Sequence, residues 1–105
     1  MIDYAEAQAA CETYIRSLQA SDVETLLALF DDNASIEDPV GTELREGKSA
    51  LREFYSVACE GVLSAALSGA PRLAGNEVAF PFTVTAGTVG EELTINIIDV
   101  FKFNE

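Results

Sequence analysis

Three polar side chains of this 105-residue chain fall on rows that are otherwise apolar: Tyr14, Asp38 and Asp99. Asp99 is the clearest. Leu93, Ile95, Ile97, Phe101 and Phe103 share its parity, and alternate side chains of a strand share a face. A carboxyl on an apolar face must pair with a cation or keep its proton. Lys102 has the other parity and cannot serve from within the strand. Asp38 closes the alternating segment Ala34-Ser35-Ile36-Glu37-Asp38, just before Pro39. Proline forces the preceding residue into an extended form and ends the ladder. Asp38 is therefore expected at a strand end, held rigidly but reachable. Tyr14 lies mid-way along a helical stripe, with a hydroxyl that needs a partner.

Each group also has a plainer reading. A tyrosine on a stripe is usually core, and an aspartate before proline is often a turn former. Asp99 could pair with Arg52 or Arg72 in the fold. Together, however, they offer a chemistry. There is no histidine, and the two cysteines, Cys11 and Cys59, lie far apart. Ser-His and Cys-His nucleophiles are excluded, and the commonest zinc ligands are missing. Acid–base work falls to carboxylates and phenols. A neutral carboxyl and a phenol both donate hydrogen bonds, and two donors on one oxygen form an oxyanion hole. An ionised carboxylate beside them is a base. That set suits proton abstraction next to a carbonyl.

Helices must come first. Tyr4, Ala7, Cys11, Tyr14 and Leu18 recur at steps of 3 and 4, which predicts a helix over 4–18. Ser21-Asp22-Val23-Glu24 reads as a capping box with Ser21 as N-cap, opening a second helix to about Phe30. Asp31-Asp32-Asn33 stops it. After the strand at 34–38, residues 40–47 read as a loop. A third helix runs from Lys48 to Cys59, with Leu51, Phe54, Tyr55 and Ala58 on one face. Strands follow at 62–68, at 78–84 and at 93–103. Pro71 and Gly75-Asn76 mark one turn and 87–90 the next. Pro81 suggests an edge strand or a bulge. Three helices followed by an antiparallel meander predict a single α+β domain over 1–105, its helices packed on one side of a curved, mostly antiparallel sheet.

The net charge is −12 and 49% of residues are hydrophobic. That composition suits a globular domain and argues against nucleic acid and anionic membranes as partners. There is no membrane-length apolar run and no basic, apolar leader, which reads as a soluble cytoplasmic protein. Gly41-Thr42-Glu43-Leu44-Arg45-Glu46-Gly47-Lys48-Ser49 resembles a phosphate loop but has five residues between the glycines instead of four. Magnesium or calcium on Glu37, Asp38 and Asp99 is disfavoured, because those ions want hydrated surroundings.

At these residues the sequence resembles the ketosteroid isomerases (steroid Δ5-3-ketoisomerases), of the nuclear transport factor 2-like, or SnoaL-like, fold family. The resemblance spans nearly the whole chain. It is carried by Thr13-Tyr14-Ile15, by Leu29 to Ala34, and by Ile36-Glu37-Asp38-Pro39-Val40-Gly41. Leu51-Arg52-Glu53-Phe54-Tyr55, Phe80 to Val84, and Ile98-Asp99-Val100-Phe101-Lys102-Phe103 add to it. It implies a cone-shaped fold and a homodimer. It implies Asp38 as the general base that moves a proton from C4 to C6 of an apolar 3-ketosteroid. Tyr14 and neutral Asp99 then hold the 3-oxygen, and Tyr55 donates to Tyr14. Phe54, Phe82, Val84 and Phe101 line the pocket, with no metal or cofactor. Phe30 stands where some members carry a third tyrosine. The family also has a final strand beyond the position of Glu105, so a truncated chain is expected.

Two rival readings stay open. One is a polyketide cyclase-like enzyme acting on another carbonyl compound. The other is a non-catalytic binding or dimerisation module, which has no need for two inward carboxyls.

Overall fold

The computed structural model of the chain describes residues 2–104. Met1 and Glu105, after which a further strand was expected, lie outside the described residues.

Asp3 caps the first helix, α1 (Tyr4–Ala20), in a reciprocal box with Glu6. Its buried stripe is Ala7, Cys11, Tyr14, Ile15 and Leu18, the 3-and-4 spacing of one helical face. Ser21 ends α1 in the left-handed conformation, φ 55°. It is thus the C-cap of α1, not the N-cap of the next helix. That task falls to Asp22, whose carboxylate accepts from the Thr25 N–H and hydroxyl. The Ser21 hydroxyl instead donates to the Cys59 carbonyl, 3.0 Å away. The second helix, α2 (Val23–Leu27), is shorter than the sequence suggests. Leu29 and Phe30 follow it in a turn, packed against the core.

β1 (Ser35–Ile36) is also short, and Asp38 lies beyond it, not on its last rung. Its partner β2 (Arg45–Glu46) sits inside the segment expected to be loop, with Ile36 opposite Arg45. α3 (Lys48–Glu60) buries Leu51, Tyr55 and Cys59 at i, i+4 and i+8.

The main sheet is antiparallel and centred on β5 (Glu77–Thr88). β6 (Glu91–Lys102) pairs with it along the full length on one edge. The other edge is shared by β3 (Val62–Leu67) and β4 (Arg72–Ala74). β4 had read as part of a turn. Pro81 therefore lies in the central strand, not at an edge. Its carbonyl accepts from the Ser68 N–H, so its missing N–H faces the gap between β3 and β4, where no ladder bond is lost. The helices pack on one face of this sheet, and the core runs between α1, α3 and the row Val78, Phe80, Phe82 and Val84. This is the expected α+β architecture. Among the described residues no helix is long and apolar enough to cross a membrane.

Gly87 and Gly90 both have positive φ, 111° and 96°. A Cβ on Gly87 would stand 2.8 Å from the Glu91 carbonyl oxygen, whereas one on Gly90 meets nothing within 4 Å. Backbone strain alone costs about 1–3 kcal/mol at such positions. Gly87→Ala is expected to lower the urea midpoint clearly more than Gly90→Ala. Equal midpoints would show that the close approach at Gly87 is not maintained in solution.

Candidate active site

Register builds the site. Val78, Phe80, Phe82 and Val84 stand opposite Phe101, Asp99, Ile97 and Ile95, and directly opposed residues share a face. Asp99 therefore lies in the core-facing row beside Phe80, which is fully buried. Arg52 is not its partner, because Arg52 pairs with Glu24 at the surface. That is the only ion pair among the described residues.

α1 brings Tyr14 to the same place and α3 brings Tyr55. Their side chains are 2% and 4% exposed, and their hydroxyl oxygens are 3.1 Å apart. Either hydroxyl can donate to the other, and the one that accepts keeps its own proton free to donate onward. The Tyr14 ring is held edge-on by Phe80, Phe82 and Phe101, with centroids 5.8, 6.2 and 5.0 Å away. Phe54 and Phe30 pack on Tyr55 at 5.0 and 5.9 Å. Aromatic edges and faces at these distances fix ring orientation, so the hydroxyls are aimed rather than free to swing.

Asp38, Tyr14, Asp99, Tyr55, Phe54, Phe82, Val84 and Phe101 all line one open cavity of about 1610 Å³. That exceeds the volume a typical small ligand fills. Asp38 follows β1 in a turn and joins Pro39 through a cis peptide bond. Glu37 is committed elsewhere, its carboxylate accepting from the Gly41 N–H at 2.8 Å. Among the described residues no cluster of three or more His, Cys, Asp or Glu is placed to hold a metal ion.

The cavity also sets the electrostatics. Burial lifts the Asp99 carboxyl to about 6, with the nearby Asp38 charge adding and the Tyr14 hydroxyl opposing. Burial likewise pushes both phenols up, so they stay protonated donors. Asp38 is raised by burial and pulled back by Arg45. Arg45 was missed in the sequence, where it reads as a loop residue. Its only local signal is a cation seven residues past Asp38.

Asp99 carries a pH signature. Its proton is held more tightly folded than unfolded, so its contribution to stability is full below about pH 4. It is lost as pH rises through about 6. The loss amounts to roughly 3 kcal/mol at most. Urea denaturation should show wild-type stability falling by up to that amount relative to Asp99→Asn between pH 4 and 7. A constant difference would mean that the carboxyl is hydrated.

Comparison with known proteins adds to this geometry. The model of the SnoaL-like domain family matches residues 11–105. A steroid Delta-isomerase of Nocardioides simplex is 32% identical over 100 residues, covering 95% of this chain and 80% of the relative. The epoxide hydrolase LasB of Streptomyces lasalocidi is 37% identical over 79 residues, but these make up only 28% of its length. Among solved structures, SalBIII, an epoxide hydrolase/cyclase-like enzyme in pyran ring formation in polyether salinomycin, superposes with a TM-score of 0.86 at 27% identity. That match covers 99% of this chain and 84% of SalBIII. These relatives are an isomerase, an epoxide hydrolase and a cyclase-like enzyme. The helices laid over an antiparallel sheet and the match over residues 11–105 lead to one conclusion: the chain belongs to the SnoaL-like domain family, on the nuclear transport factor 2-like fold.

Proposed function

We propose that the chain is a steroid Δ-isomerase that converts 3-oxo-Δ5-steroids to 3-oxo-Δ4-steroids. The observation that carries this reading is the placement of one carboxylate, Asp38, in the same cavity as the hydroxyl pair Tyr14–Tyr55 and the raised carboxyl of Asp99. The 32% identity to a steroid Delta-isomerase over nearly the whole chain supports it.

In this mechanism Asp38 takes the C4 proton of the β,γ-unsaturated ketone. The electrons move through the carbonyl, and negative charge gathers on the 3-oxygen of the dienolate. The Tyr14 hydroxyl and the protonated Asp99 carboxyl donate to that oxygen. Asp38 then returns the same proton to C6, so no atom is gained or lost. Donors aimed in advance at the developing charge lower the barrier most where water is excluded. A flat apolar steroid over Phe54, Phe82, Val84 and Phe101 excludes it. That displacement of water favours the protonated form of Asp99, whose value of about 6 leaves it mostly ionised at neutral pH in the free protein.

A second reading rests on the epoxide hydrolase and cyclase-like relatives. There Asp38 would deprotonate a hydroxyl nucleophile while Asp99 protonates the epoxide oxygen. The same groups serve, and only the substrate differs.

The test is the ultraviolet rise of the conjugated enone from 5-androstene-3,17-dione. Wild type is expected to produce it. Asp38→Asn should lose roughly 10²–10⁴ in turnover, while binding of a phenolic steroid stays within a few-fold. No rise from wild type would overturn the isomerase reading and leave the cyclase-like and binding readings. An active Asp38→Asn would remove Asp38 as base.

The reading includes a homodimer. Ile98 and Val100, on the β6 face turned away from the core, are 70% and 59% exposed, adjacent apolar side chains that a second copy could cover. Sedimentation equilibrium should give twice 11.2 kDa, and Ile98→Lys should weaken the association. A monomer at micromolar concentration would refute it.

A further inference from the structure

Arg45 is a half-buried cation that the proposed chemistry does not use. Its place is set by the short ladder that carries the base. Arg45 stands opposite Ile36, and two residues after Ile36 the chain reaches Asp38. Its guanidinium carbon lies 4.7 Å from the centre of the Phe54 ring, within cation–π range. Phe54 lines the cavity with its ring packed on Tyr55. Arg45 Nη1 is enclosed and has no hydrogen-bond partner. A buried guanidinium nitrogen without a partner is uncommon and asks for a reason.

The surroundings of Asp38 supply one. Asp99 from β6, Tyr14 from α1 and Tyr55 from α3 share its cavity, and Glu37 precedes it in the chain. Glu6, Asp31 and Lys102 line the same cavity as exposed residues. Arg45 is the cation that pulls on Asp38, and it does so against burial. Among the described residues no hydrogen bond joins the two. That separation matters chemically. A direct bidentate ion pair would fix the carboxylate oxygens on the arginine, and those oxygens must meet a substrate proton. A cation that acts on the carboxylate without a hydrogen bond to it lends its field and leaves the oxygens free.

We propose that Arg45 is a positioning residue for the general base, its guanidinium locked on Phe54 so that its charge reaches Asp38 without occupying the carboxylate oxygens. The proposal rests on Asp38 being the base of the isomerase reading. Its effect is to keep Asp38 ionised, and so able to accept a proton, when an apolar ligand covers the cavity.

The deciding measurement is a carbon-13 NMR titration of the Asp38 carboxyl in wild type, Arg45→Met, Arg45→Gln and Arg45→Lys. Circular dichroism checks that each is folded. The neutral variants should raise the Asp38 midpoint by roughly one pH unit, and Arg45→Lys should stay within a few tenths of wild type. The acid limb of kcat/KM with 5-androstene-3,17-dione should move by the same amount, about a tenfold loss on the acid side, with little change on the plateau. An unmoved Asp38 midpoint in a folded neutral variant would overturn the proposal. So would an equal shift in Arg45→Lys, since a purely packing role does not distinguish charge. The titration needs no turnover. A wild type without isomerase activity would sink the functional reading alone, and the NMR result would still decide what Arg45 does to Asp38.

Discussion

Phe80 stands opposite Asp99 in the β5–β6 ladder, and the rest of the site depends on that pairing. The side-chain period of a strand is two, so a slip of one residue would turn Asp99 to the outer face and bring Ile98 or Val100 inward. Such a slip would exchange the partly buried Ile97 and Phe101 for a row that includes Lys102. The hydrophobic difference pins the register. The polar group is then carried inward by the apolar neighbours on either side of it, Ile97 and Phe101, and not by any attraction of its own.

A carboxyl placed this way has to be made tolerable. The cavity does so by raising its proton affinity instead of supplying a cation. The same low-polarity surroundings keep both phenols protonated. One physical cause, burial, thus raises the proton affinity of all three groups and keeps the two phenols as donors. Asp38, in a turn outside the sheet, escapes part of that burial and feels Arg45 besides. The proposed division into a base and a set of donors is a division of environments, because Asp38 and Asp99 are chemically the same group.

The arrangement also explains how one scaffold accommodates relatives of different activities. Phe54, Phe82, Val84 and Phe101 provide shape without chemistry, while the carboxylates and phenols provide chemistry without much shape. An isomerase, an epoxide hydrolase and a cyclase-like enzyme all resemble this chain.

Much of this was written in the chain itself. The helical stripe through Tyr14, the alternation around Asp99 and the strong periods of α1, α3, β5 and β6 determine which faces are buried. Local periodicity encodes burial wherever a segment is long enough to show it. Short elements carry no period, so β2 and β4, two and three residues long, read as loop and turn. The helix boundary at Ser21 and Asp22 was displaced by one residue, since both are good caps and only the backbone turn between helices selects one. Pro81 looked like an edge because a missing N–H is a local fact, while the gap in the neighbouring ladder that makes it harmless is not. Arg45 was silent for the same reason. Its ring partner Phe54 and its carboxylate neighbour Asp38 sit on other elements. The sequence by itself determined the inward placement of Tyr14 and Asp99. Only the tertiary structure decided that they share a cavity with Asp38 and which cation acts there, because contacts between distant segments follow from how the sheet and helices pack.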